Sequence, residues 1–140
     1  MPKLNPYLSF DGTTGEAMRF YEKALGARLD ALMTFGDMPE AMRMPGANAD
    51  KVLHAQLSFG NGAVLMASDW IGQTPYQGMK GFSVALAYDT ADEAKRAFDV
   101  LASDGAILLP LQPSFFAKSF GMLIDRFGTP WSISGGATRA

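Results

Sequence analysis

One helical stretch occurs twice in this 140-residue chain, and that repetition limits what the chain can fold into more than any other feature. Thr13-Thr14-Gly15-Glu16-Ala17-Met18-Arg19-Phe20-Tyr21, continuing to Leu25-Gly26-Ala27, is echoed by Thr90-Ala91-Asp92-Glu93-Ala94-Lys95-Arg96-Ala97-Phe98, continuing to Leu101 and closed by Gly105-Ala106. Each copy opens with Thr-x-x-Glu, the capping box in which the Thr side chain accepts a first-turn backbone N–H and the Glu reaches back to the cap. Apolar residues fall at Ala17, Phe20, Tyr21, Ala24 and Leu25 in one copy and at Ala94, Ala97, Phe98 and Leu101 in the other. That spacing paints one helical face. Gly26 and Gly105 stand where a left-handed C-terminal cap would end each helix. Two amphipathic stripes need two apolar surfaces to lie on.

The segments around each helix supply them. Pro6-Tyr7-Leu8-Ser9-Phe10 reads as a short strand ended by the turn Asp11-Gly12, and Arg28 to Phe35 as a second strand with Ala31, Met33 and Phe35 on one side, continued by Leu29. Residues 36–50, interrupted by Pro39 and Pro45, read as a long loop with one helical turn around Glu40-Ala41-Met42-Arg43. From His54 the chain alternates, with Ala55, Leu57 and Phe59 on one face and His54, Gln56 and Ser58 on the other. Gly60-Asn61-Gly62 is a hairpin turn, and Ala63 to Trp70 returns as the antiparallel partner. After a linker at 71–80, Phe82 to Asp89 repeats the first strand. Ala106 to Leu111 is a strand stopped by proline, and Ser119–Asp125 with Trp131–Ser134 forms a last hairpin before a tail from Gly135 that is expected to fray.

Composition narrows the function classes. With 48% apolar residues the chain is long enough to bury a sizeable core as one domain, residues 1–140. A net charge of −2 without any Lys/Arg cluster argues against a nucleic-acid footprint. The absence of cysteine removes disulfides, thiolate nucleophiles and Cys-based metal sites. The first residues lack the apolar core of a signal peptide, and no apolar run approaches the ~20 residues that span a bilayer. A cytoplasmic protein with no membrane contact is expected.

The order of these elements, together with Pro6-Tyr7-Leu8-Ser9-Phe10, Phe20-Tyr21 with Leu25-Gly26-Ala27, Phe35-Gly36-Asp37-Met38-Pro39, His54-Ala55, Met66-Ala67-Ser68-Asp69, Gly81-Phe82, and Phe120-Gly121 with Asp125-Arg126-Phe127-Gly128-Thr129-Pro130-Trp131, resembles the vicinal oxygen chelate superfamily of glyoxalase I, bleomycin-resistance proteins and extradiol dioxygenases. Within it the chain is most similar to PhnB-like proteins, also labelled 3-demethylubiquinone methyltransferase-like. The resemblance runs from Asn5 to Ile133. It implies an α+β fold: two βαβββ modules, at about residues 4–70 and 81–134, forming a curved mixed sheet around a cleft with helices outside, and a homodimer.

Metal-dependent members hold an ion with four side chains that project into the cleft. Matching the motifs puts those places at Pro6, Met66, Ser83 and Ser132, and a slip of one residue offers no His or carboxylate either. Divalent ions want imidazole, carboxylate or thiolate donors, so the usual quartet is expected to be missing and no cofactor is implied. The single histidine, His54, is a candidate acid or base, with Asp69 in reach to orient it if the strands align. His54, Gln56, Met66, Ser68, Phe116, Lys118 and Trp131 are the candidate cleft lining, with Lys118 as the cation for an anionic ligand. Trp70, Phe115 and Phe120 add possible aromatic surface, and Asp37 and Glu40 are loop carboxylates able to come over the cleft. The expected function is binding of a small organic molecule. The alternatives are a lyase, isomerase or dioxygenase with an atypical divalent metal site or His54 chemistry, and a protein acting through its dimer surface. A methyltransferase is least supported, because no strand followed by a Gly-rich turn and helix provides a cofactor fingerprint.

Overall fold

The computed structural model of the chain describes residues 1–39 and 48–138. Strand β1 (Tyr7–Phe10) leads into helix α1 (Thr14–Leu25), followed by β2 (Arg28–Thr34), β3 (Val52–Ser58) and β4 (Val64–Asp69). The same order then recurs as β5 (Val84–Tyr88), α2 (Ala91–Ala102), β6 (Ala106–Gln112), β7 (Ala117–Ile124) and β8 (Pro130–Ala137). The chain divides into two compact units, Met1–Gly78 and Met79–Ala140. Each is a four-stranded mixed sheet with one helix, ordered β1-β4-β3-β2 in the first unit and β5-β8-β7-β6 in the second. The α+β architecture of two βαβββ modules is therefore present.

Strand alternation gives every sheet one face for its helix and one open face. In the first unit Leu8, Phe10, Ala55, Leu57, Leu65 and Ala67 are buried with Ala17, Met18 and Tyr21 of α1. In the second, Leu123, Trp131 and Ile133 are buried with Ala94, Ala97, Phe98 and Leu101 of α2. Each large side chain so removed from water stabilises the fold by about 1.5–3 kcal/mol. The apolar stripes of the two helices are thus spent on their own sheets.

Four expectations need correction. Gly26 does cap α1 in the left-handed region, at φ 64°, but α2 ends at Ala102 and the left-handed residue after it is Asp104, at φ 60°. Gly105 serves a close approach instead, since a Cβ there would sit 2.3 Å from the Ile124 carbonyl oxygen. In β2 a register shift after Leu29 puts Leu29 opposite Leu57 and Leu32 opposite Ala55, while Ala31 faces Gln56 and Met33 faces His54. This bulge moves Leu29 off the side of Ala31 and Met33. Strand β6 runs through Pro110 to Gln112, which an edge strand tolerates at a break in its ladder register. The tail does not fray at Gly135, because β8 continues to Ala137, paired with Ala117. The helical turn expected at Glu40–Arg43 lies outside the described residues.

Candidate functional site

The open face of the first sheet is built from the residues that alternate with its core. Tyr7 pairs with Met66, Met66 with Gln56 and Gln56 with Ala31, so one row crosses all four strands. The next positions bring Ser9 beside Ser68 and Met33 beside His54. These rows hold a phenol, an amide, an imidazole, hydroxyls and two thioethers, and no Asp, Glu, Lys or Arg. Tyr7 Oη and His54 Nδ1 share a hydrogen bond of 3.3 Å, with the two rings 5.8 Å apart and tilted by 39°. Tyr7 was not among the residues singled out from sequence. The signal was nevertheless there, since Leu8 and Phe10 turn to the helix and leave Tyr7 and Ser9 on the other face.

The second sheet repeats the rows with other chemistry. Ala85 pairs with Ser132, Ser132 with Met122 and Met122 with Leu109; Ala87, Ser134, Phe120 and Gln112 form the next row. Ser83 Oγ and Ser132 Oγ share a hydrogen bond of 2.6 Å. Phe120 and Phe116 meet edge to face at 5.1 Å, and Phe115 meets Phe116 in the same way at 5.5 Å. The stem of Lys118 lies against Gly136. Lys118 also borders a groove of about 480 Å³ with Asp92, Lys95, Asp99, Gln112 and Pro113. Lys95 in that groove is paired to Asp99 at 2.7 Å.

Two candidate residues are held elsewhere. Asp69 is buried at the end of β4, on the helix side of the sheet, where Oδ1 accepts from Thr14 N at 3.1 Å and Thr14 Oγ1 at 2.7 Å, and Oδ2 accepts from Val52 N at 2.7 Å. The structure does not bring it to His54, so it does not orient the imidazole. Trp131 is also buried, its Nε1 donating to Asp125 Oδ2 at 2.8 Å, while Asp125 Oδ1 takes Phe127 N and Thr129 N. It is a core residue that organises the Asp125–Pro130 turn. Of the loop carboxylates, Asp37 accepts from Thr34 N and caps a 3-10 turn at Phe35–Asp37, and Glu40 lies outside the described residues. Trp70 donates through Nε1 to the Thr74 carbonyl at 2.7 Å.

Three ionisable groups lie off their ordinary values, none on the open rows. Hydrogen bonding to Ser58 and then the Arg28 guanidinium, 2.8 Å away, holds the Asp30 carboxyl down. Burial, with Asp11 nearby, raises Tyr76, whose hydroxyl donates to the Ser9 carbonyl at 2.7 Å; burial, with Glu93 nearby, raises Tyr88.

The places where a divalent ion would be held can be compared with the chemistry present. Met66 and Ser132 occupy matching positions, on the fourth strand of each unit opposite the row-forming residues Tyr7 and Ala85. Counting two residues back from those partners gives Ser83 in the second unit and Asn5, one before Pro6, in the first. A thioether, two mutually bonded hydroxyls and either a proline or a neutral amide do not match the imidazole and carboxylate donors such an ion requires. Among the described residues no group of three or more His, Asp or Glu could hold a metal ion. Nor, among them, is any helix long and apolar enough to cross a membrane.

Known proteins share this architecture along nearly the whole chain. Protein YjdN of Escherichia coli (strain K12) is 35% identical over 141 residues, covering 94% of this chain and 93% of that protein. The crystal structure of PA1353 from Pseudomonas aeruginosa superposes with a TM-score of 0.87 at 43% identity, over 96% of this chain and 98% of the other. A PhnB protein from Bacillus cereus gives a TM-score of 0.75 at 27% identity, over 96% and 99%. The family model for the glyoxalase/bleomycin resistance protein/dioxygenase superfamily matches residues 3–133, which takes in both βαβββ units from the start of β1 into β8. The chain belongs to that superfamily, as a protein of the PhnB and YjdN type.

Proposed function

We propose that this protein binds a small, uncharged organic molecule on the open face of its first sheet, without the divalent ion that its superfamily commonly uses. The observation that carries the reading is the content of the open rows. Tyr7, His54, Gln56, Met66 and Ser68 offer hydrogen-bond donors and acceptors beside apolar surface, with no formal charge to meet a charged ligand. Ligand sites generally combine apolar lining with a few placed polar groups, and these rows do so. The second unit has an apolar surface of its own in Phe120 and Met122, with Phe116 edge-on to Phe120. A homodimer is part of the proposal.

Native mass spectrometry of untagged protein tests it, because one spectrum reports subunit count, bound metal and copurified small molecules. The expected result is a dimer free of divalent metal that carries, or after library screening takes up, an organic mass. Binding should weaken at least tenfold in His54→Ala and Gln56→Ala, which remove open-face groups outside the core. A stoichiometric divalent ion, or a ligand indifferent to both substitutions, would overturn it. The hydrogen bond between Tyr7 and His54 favours a second reading, in which the imidazole moves a proton on the bound molecule. That reading requires turnover that disappears in His54→Ala while binding persists.

A further inference from the structure

Two thioethers on the open face of the first unit stand beside one imidazole. His54 is the only histidine in the chain and stands on β3, in the middle of three strands of the open face. Met33 of β2 is its direct cross-strand partner, and Met33 is 44% exposed, an unusual outlay for a thioether that could have been buried. On the other side, Met66 of β4 sits opposite Gln56, two residues from His54 and so on its diagonal. Directly opposed side chains start about 5 Å apart and diagonal ones about 7–8 Å, distances that an unbranched side chain with three rotatable bonds can close. One thioether therefore flanks the imidazole from each neighbouring strand.

We infer that His54, Met33 and Met66 form a binding site for a soft monovalent cation, Cu(I) or Ag(I). Thioether sulfur and imidazole nitrogen are the donors such ions prefer, and they bind weakly to the oxygen donors that hard ions seek. The hydrogen bond of Tyr7 Oη with Nδ1 suits this role. In the loaded form Nδ1 carries the proton and donates it to Tyr7 Oη, which leaves the Nε2 lone pair for the cation; a second-shell partner of this kind fixes ring orientation and tautomer in metal-bound histidines. No carboxylate stands on the open rows to favour a divalent competitor. The Met33 and His54 positions also lie outside the four places where relatives hold their ion, of which only Met66 is shared. The site does not depend on the organic-ligand proposal, since a cation titration reads it without any organic molecule present.

The chain suits the test because it has no cysteine to compete for silver. Silver nitrate is titrated into the full-length protein in chloride-free buffer, followed by native mass spectrometry and by NMR of methionine methyl groups labelled with carbon-13. One Ag(I) per chain is expected, with the Met33 and Met66 methyl signals moving and the other methionines still. Affinity should fall at least tenfold in Met33→Leu, an exposed position where folding is not at risk, and about 100-fold in His54→Ala. Tyr7→Phe should weaken binding about tenfold, the lower end of the range for loss of a second-shell partner. Met79→Leu should leave it unchanged. Silver that binds equally well to Met33→Leu and His54→Ala, or that moves other methyl groups, overturns the site. Zinc nitrate bound by the same residues with equal affinity overturns its softness.

Discussion

The two units join helix to sheet at the same place by opposite means. Phe10 of β1 pairs with Asp69 of β4, and Tyr88 of β5 pairs with Gly135 of β8, so Asp69 and Gly135 are equivalent positions. In the first unit the Asp69 carboxylate reaches α1 and takes both the backbone and the hydroxyl of Thr14, together with Val52 N at the start of β3. Thr13, the residue before α1, makes no side-chain cap. In the second unit no side chain comes from the strand, and α2 caps itself: Thr90 Oγ1 accepts from Glu93 N at 3.1 Å and donates to Glu93 Oε1 at 2.9 Å. Helix and strand there approach so closely that a Cβ on Gly135 would sit 2.4 Å from the Thr90 carbonyl oxygen and 2.7 Å from Ala94 Cβ. One joint is held by a buried anion and the other by the lack of a side chain. A buried aspartate next to candidate site residues is thereby accounted for by folding alone.

The sharpest way to break the comparison is to remove the anion. Asp69→Ala leaves three donors without their acceptor in a buried joint, and hydrogen bonds to charged groups contribute about 1.5–3 kcal/mol each. Allowing for relaxation, a loss on the order of 3–5 kcal/mol is expected, read as a lower urea midpoint. A loss under about 1 kcal/mol would show that water or a shifted Thr14 replaces the carboxylate. The equivalent change in the second unit, Gly135→Ala, drives a methyl group against backbone rather than a flexible side chain. Overpacking of that kind costs about 1–3 kcal/mol. If Gly135→Ala proved neutral, the close approach of α2 to β8 would not be a constraint.

The cap residues sharpen the contrast at a smaller scale. Thr90→Ala should cost about 1 kcal/mol, the usual effect of losing an N-cap acceptor, whereas Thr13→Ala should stay within about 0.5 kcal/mol because its side chain makes no cap bond. Equal losses at the two sites would mean that Thr13 caps α1 in solution.

These differences mark where the sequence was legible. The repeat, the strand order and the amphipathic helices are local patterns, and local patterns survive folding when tertiary contacts agree with them. Both Thr-x-x-Glu motifs look alike in the chain, yet Asp69 arrives at Thr14 from 55 residues away and nothing near Thr13 announces it. The bulge in β2 had no local marker either, and without it Leu29 falls on the side of Met33. Trp131 looked like ligand surface because an aromatic near a strand end is ambiguous until its partner is known. Asp125, six residues earlier, is that partner, and it turns the indole into the core. His54, Gln56, Met66 and Ser68 were legible as an open face because strict alternation with Ala55, Leu57, Leu65 and Ala67 admits only one assignment.

The smallest expected difference lies at alkaline pH and concerns one tyrosine in each unit. Tyr88 of β5 and Tyr76, which follows β4, both have hydroxyls raised above the ordinary value of 10.0, chiefly by burial. A phenol that keeps its proton longer in the folded chain than in the unfolded one binds more protons when folded, so stability falls as pH rises. The contribution is complete below pH 10 and is lost as pH climbs through the raised folded values. Tyr76 also donates its proton to the Ser9 carbonyl, a bond that ionisation destroys, whereas Tyr88 faces the like charge of Glu93. Urea midpoints measured between pH 8 and pH 11 should therefore decline only above about pH 10. Tyr88→Phe should flatten the decline in part, and Tyr76→Phe should flatten it while lowering stability at pH 8 by about 1 kcal/mol through loss of the Ser9 bond. A decline that begins well below pH 10, or that neither substitution alters, would assign it to other groups.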